Sequence, residues 1–285
     1  MQTRFHPYWH IIIAATIGAF GGLVTKQLAL PATTISFFRL AVPVIILFFS
    51  VKKQHALRHK PYDKSMLLAS LLNAIRVGLY FFAFLYTSIS NAVIMLYTWP
   101  IFASLFSMIF LKESITKKKM FLLVLAFVGI ICMYATFPFH LSYRDAIGMA
   151  AMLVSAALFA FTVVIFKKQL ATYSNTETIF YQNLVGTIVF LPFLFIHHPF
   201  PTVPQIGVIS LYSFLIGIVG FFLIFSALKK ITVVEYAILS YWEVIAGVLV
   251  GMVFLHETLT WNMVLGGSLI ILAGIGLAQK RLSQS

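Results

Sequence analysis

Tyr97–Thr116 reads YTWPIFASLFSMIFLKESIT, and 144 residues further on Tyr241–Thr260 reads YWEVIAGVLVGMVFLHETLT. The two stretches share Tyr97/Tyr241, Ile101/Ile245, Leu105/Leu249, Met108/Met252, Phe110/Phe254, Leu111/Leu255, Glu113/Glu257 and Thr116/Thr260. Each is an apolar helix closed by a glutamate. Self-similarity at a fixed offset marks a repeat architecture. Here it divides the chain nearly in half, into units 1–139 and 140–285.

The composition sets the class. Of the 285 residues 61% are hydrophobic and only 9% charged, and the mean hydropathy is +0.99. A water-facing surface needs more charge than this, so a soluble domain is excluded. A hydrocarbon core of ~30 Å needs ~20 apolar residues per helix. The sequence supplies ten such runs, near 8–28, 33–51, 65–86, 90–111, 120–136, 144–166, 175–196, 204–228, 232–255 and 261–279. They are referred to as spans 1 to 10. The fold class expected is an all-α polytopic membrane protein.

A net charge of +13 would fit nucleic acid if it were spread over one face, but it is sorted by side. With a cytoplasmic N-terminus, Arg4, Lys52, Lys53, Arg58, Lys60, Lys64, Lys112, Lys117–Lys119, Lys167, Lys168, Lys229, Lys230, Lys280 and Arg281 fall inside, and only Lys26 and Arg144 outside. This is the positive-inside pattern, which places both termini in the cytoplasm. The basic loops meet anionic lipid headgroups, and no nucleic-acid partner is expected. The apolar run from Tyr8 lacks a small-residue cleavage site, so it is expected to be retained as span 1. Cys132 is the single cysteine, which excludes an intrachain disulfide and a Cys-based metal cluster. His197-His198 offers two adjacent histidines with no acidic partner nearby, too few ligands for a metal. No cofactor is expected.

Charges within the spans are the candidates for function. Arg39 in span 2, Arg76 in span 3 and Glu243 in span 9 lie well inside their runs. An ionised side chain there costs ~2.5–3.5 kcal/mol on insertion scales, so each must face protein or water. Ser36, Arg39 and Pro43 share a face of span 2, and Asn73, Arg76 and Tyr80 share a face of span 3. Tyr236, Ser240, Glu243 and Gly247 line one face of span 9. In span 4 Trp99-Pro100 is expected to bend the helix and free a carbonyl one turn earlier. Tyr181-Gln182 in span 7 falls where Phe38-Arg39 falls in span 2.

Two readings of these charges stand open. In one, an Arg–Glu pair locks helices together. In the other, Arg39 or Arg76 takes a substrate carboxylate while Glu243 faces a substrate amine or carries a proton. Gln182 and the aromatic surface of Tyr80, Tyr97, Trp99, Tyr181, Tyr241 and Trp242 complete the candidate site. Glu113 and Glu257 sit at helix ends, where they are expected to fix the short turns into spans 5 and 10.

Five spans per unit is an odd number, so the second unit inserts inverted relative to the first. Inverted repeats with a site at their midplane interface are the architecture of alternating-access carriers. The Pro100 helix closed by Leu111-Lys112-Glu113-Ser114, and its copy closed by Leu255-His256-Glu257-Thr258, resemble the EamA family of the drug/metabolite transporter superfamily. The resemblance covers essentially the whole chain. It implies secondary transport of small metabolites, often amino acids and their derivatives, across a bacterial inner membrane. It also implies that spans 1–4 and 6–9 line a central cavity, with spans 5 and 10 peripheral. Span 9 departs from the pattern, with Val244 where the copy of Pro100 is expected and Glu243 opposite Trp99.

The side-chain chemistry points to a zwitterionic amino acid or a related metabolite as the small-molecule substrate. A flippase for an amphipathic or lipid-linked substrate is the alternative within the superfamily. No HExxH, GxSxG or P-loop motif and no pair of intramembrane carboxylates supports an enzyme. Oligomeric state is left open, a monomer being compatible with the pattern.

Overall fold

The computed structural model describes residues 6–28, 30–53, 63–134, 142–196, 200–256 and 258–282. Apolar runs become helices throughout: α1 (Pro7–Leu28), α2 (Ala32–Lys53), α3 (Lys64–Tyr86), α4 (Ile89–Leu96), α5 (Trp99–Phe110), α6 (Lys117–Tyr134), α7 (Tyr143–Gln169), α8 (Asn175–Ile196), α9 (Val203–Phe214), α10 (Phe221–Leu228), α11 (Val233–Ser240), α12 (Trp242–Leu255) and α13 (Trp261–Leu282). A π-helical stretch, Leu215–Gly220, joins α9 to α10. No strand occurs among the described residues. Eight of the helical runs are long and apolar enough to cross a membrane. Large apolar side chains such as Phe49, Leu85, Ile109, Phe195 and Val253 stand exposed on the outer surface. In a membrane protein that surface faces acyl chains, which costs nothing.

The two halves correspond in their backbone turning points as well as in sequence. Ser88 caps α4 by accepting from the Asn91 N–H, and Thr232 caps α11 by accepting from the Glu235 N–H. Helix α4 gives way to α5 at Tyr97-Thr98, and α11 to α12 at Tyr241. The only non-glycine residues with positive φ among those described are Lys112 and His256, both at 55°. Each of these pairs is separated by the sequence offset of 144, which also separates Tyr97 from Tyr241. The offset therefore fixes a cap, a break and a left-handed helix end in each unit.

The bend expected at Trp99-Pro100 lies slightly earlier in the chain. Span 4 breaks at Tyr97-Thr98, before Pro100, which sits in the first turn of α5. There its missing N–H has no helical partner to lose. The Thr98 hydroxyl donates to Met95 O at 2.6 Å across the break. Span 9 breaks at the equivalent point without any proline, through a tight turn in which Val244 N–H donates to Tyr241 O at 3.1 Å. The departure at Val244 thus leaves the discontinuity in place. Span 8 is interrupted as well, by the π-helical Leu215–Gly220. Gly217 lies there against Pro43 of α2, and a Cβ on it would come within 2.6 Å of the proline ring.

Packing pairs α3 with α7, α2 with α8, and α6 with α13, while α1 lies against α12 and α5 against α7. The α6 and α13 helices pack chiefly on each other. Their backbones cross at Gly129 and Gly266, where a Cβ on Gly129 would sit 2.6 Å from Gly266 O. Small residues permit this approach. The remaining helices surround the broken pair, where the candidate site lies.

Candidate functional site

The broken helices meet at their matching tyrosines. The Tyr241 hydroxyl donates to Tyr97 O at 3.0 Å, and the two rings lie 5.9 Å apart. A carbonyl freed by a helix break in a membrane needs a protein partner, and Tyr241, which is fully buried, supplies it. Glu243 follows in the first turn of α12, where the helix dipole favours a carboxylate. Its carboxylate lies against Gly18 of α1, and a Cβ at that glycine would come within 2.8 Å of Glu243 Oε1. Glycine at position 18 makes room for the charge.

Arg76 of α3 is held in detail. Its Nε donates to Asn73 Oδ1 at 3.0 Å, and its guanidinium lies over the Phe159 ring at 4.4 Å. Asn73 is itself fixed by donating to Gln182 O at 3.3 Å. The Phe159 ring meets Trp99 at 4.8 Å, and Trp99 meets Tyr236 at 5.3 Å. Arg76 is therefore clamped on one edge and one face, and among the described residues its terminal nitrogens make no further hydrogen bond.

Arg39 of α2 is half-buried, its carbonyl beside Gly217 of the π-helical stretch. Arg39 lies within electrostatic reach of Arg76 and of Glu243. Tyr80, Tyr212 and Tyr236 face the same charges. Among the described residues, neither Arg39 nor Glu243 makes a hydrogen bond or an ion pair. The helix-locking Arg–Glu pair does not form in this structure. Both residues are half-buried.

The other candidates fall into two groups. Tyr80 is half-buried, its ring 5.0 and 4.9 Å from Phe81 and Phe84. Tyr97 and Trp99 are buried at the break. Trp242 is half-buried, and its Nε1 donates to Thr16 Oγ1 of α1 at 3.1 Å. Tyr181, Gln182 and Tyr241 are buried in helix contacts. Tyr181 O accepts the Ser70 hydroxyl at 2.6 Å, and Gln182 Oε1 is buried with no hydrogen-bond partner among the described residues. Tyr212, Tyr236 and Gly18 join the cluster although they were not among the candidates. Tyr236 shares the face of Glu243 by spacing, whereas nothing in span 8 distinguishes Tyr212.

A second polar cluster ties the halves together at the end of the bundle that carries Tyr8. Lys167 at the end of α7 pairs with Glu113 and donates to Ile231 O at 2.6 Å. The other Glu113 oxygen accepts from Val233 N–H at 2.8 Å. Lys119 at the start of α6 pairs with Glu235 of α11 at 3.3 Å, and the Tyr8 hydroxyl donates to Glu235 at 3.2 Å. A cavity of about 290 Å³ lies beside it, lined by Tyr8, Lys118, Lys119, Thr232, Glu235 and Leu277 among others. Glu113 was expected to fix its own turn, but it reaches across to the second unit, because the α10–α11 connection presents a backbone donor there. Glu257 and His197–Pro199 lie outside the described residues.

The EamA-like transporter family model matches the chain twice, over residues 7–135 and 146–278. The pseudopaline exporter CntI of Pseudomonas aeruginosa (strain UCBPP-PA14) is 23% identical over 273 residues, covering 95% of each chain. Solute carrier family 35 member G1 of Mus musculus is 23% identical over 288 residues, covering 96% of this chain and 78% of its own length. A solved crystal structure superposes with a TM-score of 0.82 at 15% identity, over 97% of this chain and 98% of that one, and shares the fold. The chain is a two-repeat, multi-pass membrane protein belonging to the EamA-like transporter family, within the drug/metabolite transporter superfamily.

Proposed function

We propose that the protein is a secondary transporter of ten spans, built as two oppositely inserted five-helix repeats, 1–139 and 140–285. It carries a small metabolite with acidic and amino groups, an amino acid or a derivative, across a bacterial inner membrane by alternating access. The observation that carries this reading is the pair of charges, Arg39 and Glu243, contributed by different repeats, within electrostatic reach of one another and without a side-chain hydrogen bond or ion pair among the described residues. A charge kept inside a membrane without a protein partner is costly unless a ligand or water completes it. Discontinuous helices at corresponding positions of two repeats support a binding site at the same place.

In this reading Arg39 and the free nitrogens of Arg76 take acidic groups, and Glu243 takes an amine. Tyr80, Tyr97, Trp99 and Trp242 wall the site, while Tyr181, Gln182 and Tyr241 support the helices behind it. The Glu113–Lys167 and Lys119–Glu235 cluster closes one end. The positive-inside pattern makes that end the cytoplasmic one. At the 144-residue offset Lys119 is matched by Met263 and Glu235 by Asn91, so the Lys119–Glu235 pair has no counterpart in the other unit. A relative named as an exporter makes outward movement the direction to measure first. Lipids surround the helices, and no cofactor takes part.

The test uses purified protein in proteoliposomes, with ligands first chosen by thermal stabilisation. Arg39→Ala, Arg76→Ala and Glu243→Gln each lose at least about tenfold of counterflow while remaining monodisperse. Counterflow like that of the unmodified protein in all three variants overturns the reading.

A further inference from the structure

We infer that the cavity beside Tyr8 binds the phosphodiester headgroup of an anionic lipid from the cytoplasmic leaflet. Its volume is about 290 Å³, space for on the order of ten water-sized groups at ~30 Å³ each. That is room for a headgroup and too little for a whole lipid. Both repeats build it. Ser114, Thr116 and Lys118 come from the connection into α6 and its first turn, Thr232 and Glu235 from the start of α11, and Leu277 from α13.

The polar groups on its wall are donors whose local acceptor is already engaged. Glu235 is the one carboxylate that lines the cavity. Its Oε1 accepts the Tyr8 hydroxyl at 3.2 Å and pairs with Lys119 Nζ at 3.3 Å, and its Oε2 accepts Thr232 N–H at 2.8 Å. Thr232 Oγ1 accepts Glu235 N–H at 3.2 Å and lies 3.5 Å from Lys119 Nζ. Thr116 Oγ1 accepts Lys119 N–H at 3.3 Å. Each threonine thus uses its oxygen as an acceptor and keeps its own proton to donate. Lys118 is exposed, and among the described residues its ammonium makes no hydrogen bond or ion pair. Lys119 is matched by Glu235, so Lys118 supplies the charge that remains. Two hydroxyl protons and an ammonium around one cavity are complementary to a singly charged oxyanion.

The setting favours a lipid over a soluble phosphate. Leu122, Gly276 and Leu277 also line the cavity, and the adjacent Phe121 and Ile275 are 64% and 49% exposed. Those side chains belong to the surface that faces acyl chains. The donors therefore stand next to acyl-facing helices, at the end of the bundle that the positive-inside pattern assigns to the cytoplasm. Anionic headgroups concentrate basic segments at that leaflet. A phosphate held by Lys118 and Thr232 bridges the two repeats beside the Lys119–Glu235 pair, which already joins them. This inference does not depend on the identity of the transported substrate.

The test titrates the purified protein in a neutral detergent with phosphatidylglycerol and, in parallel, with phosphatidylcholine. Thermal unfolding and lipid retention by native mass spectrometry are followed. Phosphatidylglycerol is expected to raise the unfolding temperature saturably and to stay bound at collision energies that strip phosphatidylcholine, whose choline cancels the phosphate charge. Lys118→Gln is expected to weaken phosphatidylglycerol about fivefold, the contribution of one lysine near a membrane surface, and Lys118→Arg to retain it. Lys229→Gln removes another exposed cation, one outside the cavity, and is expected to leave binding within about twofold. Equal losses in Lys118→Gln and Lys229→Gln, or equal binding of the two lipids, overturn the site. Inorganic phosphate and glycerol phosphate, added without lipid, form the soluble arm. Stabilisation by either as large as that by phosphatidylglycerol overturns the assignment to a lipid.

Discussion

Replacing Lys167 by Met removes the cation that joins Glu113 to the α10–α11 connection. The side chains of this pair are 19% and 11% exposed, between the fully buried case, where breaking a pair costs ~3–5 kcal/mol, and the surface case of ~0–1 kcal/mol. Glu113 keeps its bond from Val233 N–H, while the bond from Lys167 to Ile231 O is also lost. The net cost is about 2–3 kcal/mol for Lys167→Met. If the cluster exists only when that end is closed, the same energy moves the closed-to-open ratio by roughly 30- to 150-fold. A double-mutant cycle with Glu113→Gln, followed by thermal unfolding in detergent, isolates the pairwise part. A coupling of about 2 kcal/mol is expected. Coupling below ~0.5 kcal/mol would show that the pair is incidental to the closed state.

Gly129→Ala places a methyl 2.6 Å from Gly266 O, which forces α6 and α13 apart. A loss of about 1–3 kcal/mol in stability is expected, with substrate preference unchanged when both are measured on one preparation. Tyr241→Phe removes the hydroxyl that serves Tyr97 O and costs about 1 kcal/mol or somewhat more. Its apparent affinity for substrate should stay within about threefold of the parent, since the ring is buried behind the site. Arg76→Lys keeps the charge but loses the planar contact with Phe159 and the fixed bond to Asn73. It is expected to lower transport nearly as far as Arg76→Ala, and full activity would show that charge alone suffices.

The helices and the repeat were legible because bilayer thickness and hydrogen-bond satisfaction leave a membrane chain few options. The 144-residue offset marked the paired helices and their ends at Glu113 and Glu257, but not the matching caps at Ser88 and Thr232. The unprolined break at Tyr241 was not legible, since it depends on packing against Tyr97 from the other half. The π-helical Leu215–Gly220 was hidden for a similar reason. Its sequence is that of an ordinary apolar helix, and its partner Pro43 is on α2.

Arg39, Arg76 and Glu243 were found from the cost of charge at mid-span, a property of each residue alone. The repeat alignment singled out Tyr181 and helical spacing singled out Tyr80, but neither tells a buried helix contact such as that of Tyr181 from a half-buried position such as that of Tyr80. The Glu113 contacts join residues 54 and 120 positions away in sequence, beyond any local pattern.

The most direct test of the central claim is alternating exposure of the Arg39–Glu243 site. Cys132, the only cysteine, is exposed on the outer surface, so Cys132→Ser gives a clean background for Tyr212→Cys. A membrane-impermeant thiol reagent is then applied to each face of oriented proteoliposomes. The account predicts labelling from both faces, with Lys167→Met raising the rate from the end that carries Tyr8. Labelling from one face alone, unaffected by Lys167→Met, would contradict it.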